Sequence, residues 1–224
     1  MIPVRDVIPS RTTPVVVLVI LAVDTVVFLL ALAVSGGAIG ALAHAWGSPF
    51  TRASLVPVLA SLFLHGGWVQ LVSNMLCLWL FGENVEDRMG RARFLLFYLL
   101  CGAIAGLVHA LTTSRVAPAL GSAGAVAGVM GAYFVLYPRS RVLTLVPFAL
   151  VETPAVLYLA IWFVLQLLAG AGLPLAAAPG VTGPGLGALA AAFAGGAALV
   201  LLFRRRERVR VEWWSDSGSR ADRV

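Results

Sequence analysis

One serine, three histidines and one polar helix face are the groups in this chain whose chemistry could add up to catalysis. Ser122 stands in the run Gly121-Ser122-Ala123-Gly124-Ala125, at the head of a short apolar, glycine-rich stretch. A serine hydroxyl is a poor nucleophile until an adjacent base takes its proton. The histidines are His44, His65 and His109. A Ser122–His109 dyad is conceivable, but such chemistry demands hydrogen-bond geometry that nearness in sequence does not supply. Serine at a helix start commonly caps the helix, and an N-cap is the preferred reading of Ser122. A second group is Gln70, Ser73, Asn74 and Cys77, which share one face of a helix because residues three and four apart are neighbours. In a membrane helix such a stripe faces protein or a water-filled cavity, never lipid. Cys77 and Cys101 lie in apolar stretches and read as buried free thiols, so neither a metal site nor a cofactor is expected.

The elements that must position these residues are membrane spans. Of the 224 residues, 60% are hydrophobic and 12% charged, a balance that excludes a soluble domain of this length. Apolar segments fall at roughly Pro14–Val34, Trp68–Phe81, Phe94–Leu111, Ala123–Tyr137, Ala155–Leu168 and Leu186–Phe203. Several are shorter than the ~20 residues of a full span, so their helices extend into flanking residues or stop inside the bundle. All 16 basic residues are arginine. Two precede the first span, three lie between the second and third, two between the fourth and fifth, and seven follow the sixth; Arg52 and Arg115 fall on the other side. Fourteen against two predicts both termini in the cytoplasm. The reading is a cytoplasmic segment at 1–13, a six-span membrane domain at 14–203 with a long outer loop at about 35–61, and a basic tail at 204–224.

The run from Ser61-Leu62-Phe63-Leu64-His65-Gly66-Gly67-Trp68 to Gln70 and Asn74 continues through Gly82-Glu83-Asn84-Val85-Glu86-Asp87 to Gly90-Arg91. With Phe97-Tyr98, Gly102, Gly121–Tyr133, Tyr137-Pro138-Arg139, Trp162 and Gln166, it resembles the rhomboid family of intramembrane serine proteases over roughly residues 55–203. The resemblance implies an all-α integral membrane protein, a six-helix bundle. It also implies a fourth span that starts Gly-x-Ser-Gly, a histidine base on the sixth span, and a His and an Asn on the second span that assist the oxyanion. In this chain the nucleophile position is Ala123 and the base position is Leu189. Of the oxyanion pair, the histidine is replaced by Gln70 and Asn74 is retained. Ser122 is one residue from the nucleophile position, which turns its side chain by about 100° on a helix. His65 matches a position outside the catalytic pair, and a structural role suits it.

The resulting expectation is a pseudoprotease that binds or regulates transmembrane-helix clients; the alternative is an active intramembrane serine protease with a non-standard site. The expected location is a bacterial plasma membrane, with anionic lipid at the Arg204–Arg210 run and no nucleic-acid partner. Asp24, mid-span, is read as hydrogen-bonded to a neighbouring helix. Glu86 is read as a structural cap or an ion pair with Arg91 or Arg93. Gly124, Gly128 and Gly131 on the fourth span, with Gly187, Ala191 and Gly195 on the sixth, read as small-residue packing surfaces.

Overall fold

The structure is a computed structural model that describes residues 2–6, 12–35, 61–112, 122–146, 149–170 and 185–204. The outer loop anticipated at 35–61, apart from its ends, and the tail beyond Arg204 lie outside the described residues. Among the described residues six helices form the bundle: α1 (Val15–Ser35), α2 (Trp68–Met89), α3 (Arg91–Thr112), α4 (Ala123–Leu136), α5 (Ala155–Gly170) and α6 (Leu186–Phe203). Three of them are long and apolar enough to cross a membrane: Val15–Val34, Arg91–Thr112 and Leu186–Phe203. α2 is as long as α3, but Glu83, Glu86, Asp87 and Arg88 make its last turns polar. Arg88 and Arg91 flank the junction of α2 and α3. There Gly90, at φ 83°, turns the chain in the left-handed region that glycine enters at no steric cost.

α4 is the centre of the bundle. Every residue from Ala123 to Tyr133 is buried, so the helix has no lipid face over that length. Its 14 residues rise only about 21 Å at 1.5 Å each, short of the ~30 Å hydrocarbon core. It packs most closely on α6, then on α3 and α2. The α4–α6 approach is backbone on backbone: a Cβ added at Gly196 would lie 2.6 Å from Gly128 Cα, and one at Gly131 would lie 2.9 Å from the Phe193 carbonyl carbon.

The packing face of α6 differs from the anticipated one. Ala188, Leu189, Ala192, Gly196 and Val200 are its buried residues, spaced by three or four. Gly187 opens on empty space, and a Cβ at Gly195 would meet the tip of Ile104 on α3 at 3.1 Å. The phase of the helix is thus set one residue away from the Gly187–Ala191–Gly195 stripe, and one residue is about 100° of rotation.

The bundle carries a small sheet that hydropathy did not indicate. β1 (Ile2–Asp6), β2 (Arg141–Val146) and β3 (Ala149–Pro154) form an antiparallel sheet in that order. β2 pairs with β3 from Arg141↔Pro154 to Val146↔Ala149, and β1 pairs with β2 with a shift in register between Pro3 and Arg5. Pro3 has no N–H to give the ladder, which suits an edge strand. The β-branched residues Val142, Thr144, Val146, Val151 and Thr153 favour strands over a loop between two spans.

Glu86 ties the start of α1 to α2. Its carboxylate accepts the Val16 and Val17 N–H groups at 3.0 and 2.9 Å, and the residue is 2% exposed. The first amides of a helix lack partners within it, and a negative charge there also meets the positive end of the helix dipole. Glu86 is therefore a cap, and the helix it caps is α1; beside it, Thr12 Oγ1 donates to Asp87 at 2.6 Å. At the other end, Phe28 of α1 stacks edge-on against Trp68 of α2, with ring centroids 4.8 Å apart. α1 and α2 are therefore antiparallel. Phe203, the last residue of α6, meets Phe97 near the start of α3, so α1 begins and α6 ends at the same end of the bundle.

Candidate functional site

Ser122 occupies the N-cap position of α4 with backbone angles of φ −68° and ψ 0°, and its side chain caps nothing. That differs from the expected N-cap hydrogen bond. The first helical amides are passed over, and the hydroxyl turns toward α2 and the turn ahead of it. Its oxygen lies 3.1 Å from His65 Nε2 and accepts the Asn74 side-chain amide at 3.3 Å. The histidine that meets Ser122 is therefore His65. His109, the other candidate, accepts the Gly185 N–H at Nδ1 at 3.5 Å and so joins the end of α3 to the start of α6.

Asn74 is the hub of the cluster. Gln166 of α5 donates to Asn74 Oδ1 at 2.8 Å, which leaves the Asn74 amide nitrogen to face Ser122 and His65, the latter at 3.5 Å. Gln70, one turn earlier on α2, accepts the Gly66 N–H at 2.9 Å and holds the turn that carries His65. Ser122, Asn74, His65, Gln166 and Gln70 are all at most 3% exposed. The polar face of α2 thus meets protein, and its bonds join α2, α4, α5 and the His65 turn. Each such bond is worth about 0.5–1.5 kcal/mol net, and stranding one buried partner costs about 1–3 kcal/mol.

The electrostatics do not favour proton transfer. His65 lies in the turn ahead of α2, where burial pulls its imidazole down to about 4. The Phe63 carbonyl opposes that shift from close by, though it does not meet hydrogen-bond geometry at Nδ1. The imidazole is therefore neutral near pH 7, and its Nε2 can accept the Ser122 proton. No carboxylate among the described residues hydrogen-bonds to the ring, so an imidazolium formed there gains little stabilisation.

Ala123 and Leu189 are both within 1% of full burial and belong to one apolar cluster. A methyl and an isobutyl group contain no atom that can attack a carbonyl or take a proton. Among the described residues no group of three His, Cys, Asp or Glu side chains could hold a metal ion. Two features of the cluster lay beyond sequence reasoning. One is the pairing of His65 with Ser122; the other is Gln166 as the partner of Asn74. The available signal for Gln166 was its spacing of four from Trp162 on α5, where both are buried.

Fold and site together define a multi-helix membrane protein with a short central helix, whose N-terminus opens onto a buried polar cluster. Residues 52–206 match the rhomboid domain, more than half of the chain, and the chain belongs to the rhomboid family. It is 33% identical over 99 residues to Rhomboid protein 1, mitochondrial, of Saccharomyces cerevisiae, covering 42% of this chain and 28% of that protein. It is 30% identical over 97 residues to the human Presenilin-associated rhomboid-like protein, mitochondrial, covering 42% and 26%. Against the Rhomboid-like protein 11, chloroplastic, of Arabidopsis thaliana the identity is 40% over 67 residues, covering 30% and 24%. The matched stretch thus spans about a quarter of the length of these relatives.

Proposed function

We propose that this chain is a rhomboid-family membrane protein without the serine-protease chemistry expected from the resemblance, and that it binds or regulates transmembrane helices. The observation that carries the reading is Ala123 and Leu189 in one buried apolar cluster at the nucleophile and base positions. Close α4–α6 packing and the Asn74 network support a bundle kept for its shape. A plasma membrane of a bacterium, with both termini cytoplasmic and the arginine tail on anionic lipid, completes the proposal; the arginine distribution supports the orientation and the lipid contact of the tail.

A second reading has one specific observation in its favour, the 3.1 Å approach of His65 Nε2 to Ser122 Oγ. In that reading Ser122 is the nucleophile, His65 the base and Asn74 the donor to the developing oxyanion. Full burial of Ser122 and the absence, among the described residues, of a carboxylate bonded to His65 weigh against it.

The test is a single-span reporter in proteoliposomes, followed for cleavage and for photo-crosslinking to the protein, with fluorophosphonate labelling in parallel. Crosslinking without cleavage or labelling is expected. Labelling that disappears in both Ser122→Ala and His65→Gln would establish the second reading, and reporter that neither crosslinks nor is cleaved would remove the client-binding reading. Cysteine accessibility at both termini checks the orientation.

A further inference from the structure

The bond to a neighbouring helix expected for Asp24 is missing: the residue is wholly buried, and neither carboxylate oxygen has a hydrogen-bond partner among the described residues. That group is enclosed by the bundle. The small sheet, in contrast, leaves a row of polar groups where another segment can reach them. In the order β1–β2–β3, β2 is paired on both sides and the other two strands are edges. β1 lies against α2. β3 has no strand on its outer side among the described residues, and the N–H and C=O groups there are a template for one. Its successive residues Val151 and Glu152 point to opposite faces and are both exposed.

The two faces of that edge differ. The β2–β3 register puts Val142, Val151 and Thr153 on one face, and Arg141 and Glu152 on the other. Val142 belongs to the buried core and Thr153 is buried, so Val151 continues that face outward as exposed apolar surface. On the other face Glu152 meets Arg141 at 3.2 Å, on its β2 side. A segment that fits this edge is extended, apolar at every second position, and basic between them. The sequence beyond Arg204, outside the described residues, holds one: Arg208-Val209-Arg210-Val211-Glu212-Trp213. Apolar residues recur there at the period of a half-buried strand, and valine and tryptophan are strand formers.

The tail starts beside this edge. α4 runs against α3, with Gly124 beside Ala105 and Gly128 beside Cys101. It therefore ends where α3 begins, the level at which Phe203 of α6 meets Phe97. Ser140, just past α4, accepts the Ala155 N–H at 3.1 Å, so α5 starts at that level too. α5 and α6 touch at Phe163 and Phe193, with ring centroids 5.7 Å apart. The start of α5 and the end of α6 lie about 12 and 15 Å from that contact, on the same side of it. Residues 204–207 span up to about 13 Å when extended, and neighbouring helix axes are about 8–10 Å apart. The tail thus reaches β3 before Arg208.

We propose that residues 208–213 add to the outer edge of β3 as a fourth strand. β3 runs toward the bundle and the tail runs away from it, so the pairing is antiparallel. Val209, Val211 and Trp213 take the face of Val151, and Arg210 stands beside Glu152, extending the Arg141–Glu152 pair into a row of alternating charge. Opposite charges side by side on one face of a sheet are favourable, and main-chain hydrogen bonds supply the rest. Arg204, Arg205 and Arg206, ahead of the strand, stay free for the membrane surface. The added strand covers an edge that another chain could otherwise pair with. This docking is independent of client binding.

The test is disulfide scanning of the full chain in lipid nanodiscs that contain anionic lipid. Val151→Cys is combined with a second cysteine at each position from 208 to 213 in turn. Val151→Cys alone is the control for Cys77 and Cys101, which are buried. Disulfides within one chain should form at positions 209, 211 and 213 and be lost at 208, 210 and 212, because a strand turns alternate side chains to opposite faces. Adding Glu152→Arg should lower the yield at 209 and 211, and Arg210→Glu in the same chain should restore it. Val211→Pro, which removes a ladder N–H, should abolish the disulfide at 209 and speed amide exchange in β3. Equal yields at odd and even positions, or no disulfide at all, would assign the whole tail to the lipid and overturn the strand. Disulfides found only between copies would overturn pairing within one chain in favour of exchange between two. Exchange in β3 that Val211→Pro leaves unchanged would also overturn it.

Discussion

Adding one methyl group at Gly196 tests the central claim about packing. In Gly196→Ala the new Cβ would lie 2.6 Å from Gly128 Cα and closer still to the Gly128 carbonyl. Carbon atoms rest about 3.5–4.0 Å apart, so α6 must retreat from α4 by about 1 Å at that point. The obstacle is backbone on a fully buried helix and has no rotamer to give. The same retreat loosens the contact of Gly131 with the Phe193 carbonyl, one turn along α4. Overpacking of this kind costs about 1–3 kcal/mol, and a rigid obstacle belongs at the upper end, roughly a hundredfold in the unfolding constant. Gly187→Ala is the matched control, because the same methyl on the same helix meets nothing within 4 Å. It should be neutral or slightly stabilising, since alanine exceeds glycine in helix propensity by up to about 1 kcal/mol. Reversible unfolding of both variants in detergent micelles, read by tryptophan fluorescence, gives the difference. Equal stabilities, or greater damage from Gly187→Ala, would refute the assigned phase of α6 and with it the close α4–α6 approach.

Glu86→Gln should destabilise the protein by about 1–3 kcal/mol, because the amide offers one acceptor where the carboxylate offered two and removes the charge at the α1 dipole; exchange at the Val16 and Val17 amides should speed up more than exchange in α6. His65 contributes a pH dependence in the acid range. Its ordinary value is 6.5 and burial lowers it to about 4, so the unfolded chain takes up a proton that the fold excludes. That contribution is complete above pH 6.5 and is lost as pH falls toward 4; thermal midpoints should drop over this window in wild type and less in His65→Gln. Ala123→Ser should not by itself produce fluorophosphonate labelling, because Leu189 cannot accept its proton; labelling of that variant would show that a different base reaches position 123.

Much of this protein is legible in its sequence for local reasons. The length of each apolar run and the spacing of the arginines do not depend on how the helices pack, and a helix appears where each of those six runs lies. Ala123 and Leu189 likewise speak for themselves, because no arrangement gives a methyl or an isobutyl group a lone pair. Periodicity also places Gln70 and Asn74 on one face, since both belong to the same rigid helix.

What only the tertiary structure decided concerns rotation and height between elements. The 3.6-residue repeat relates side chains within a helix, but it is silent on how one helix is turned against the next. So the packing glycine on α6 is Gly196 and not Gly195, and the cap supplied by Glu86 belongs to α1, about 70 residues away. Ser122 meets His65 across 57 positions, and Asn74 meets Gln166 across 92, at separations where sequence spacing carries no angular information. The small sheet is the same case, because its edges lie at residue 2 and residue 154. Which atoms could do chemistry was written in the residue types; which of them meet depended on packing, because contact needs a distance and an angle that only packed helices supply.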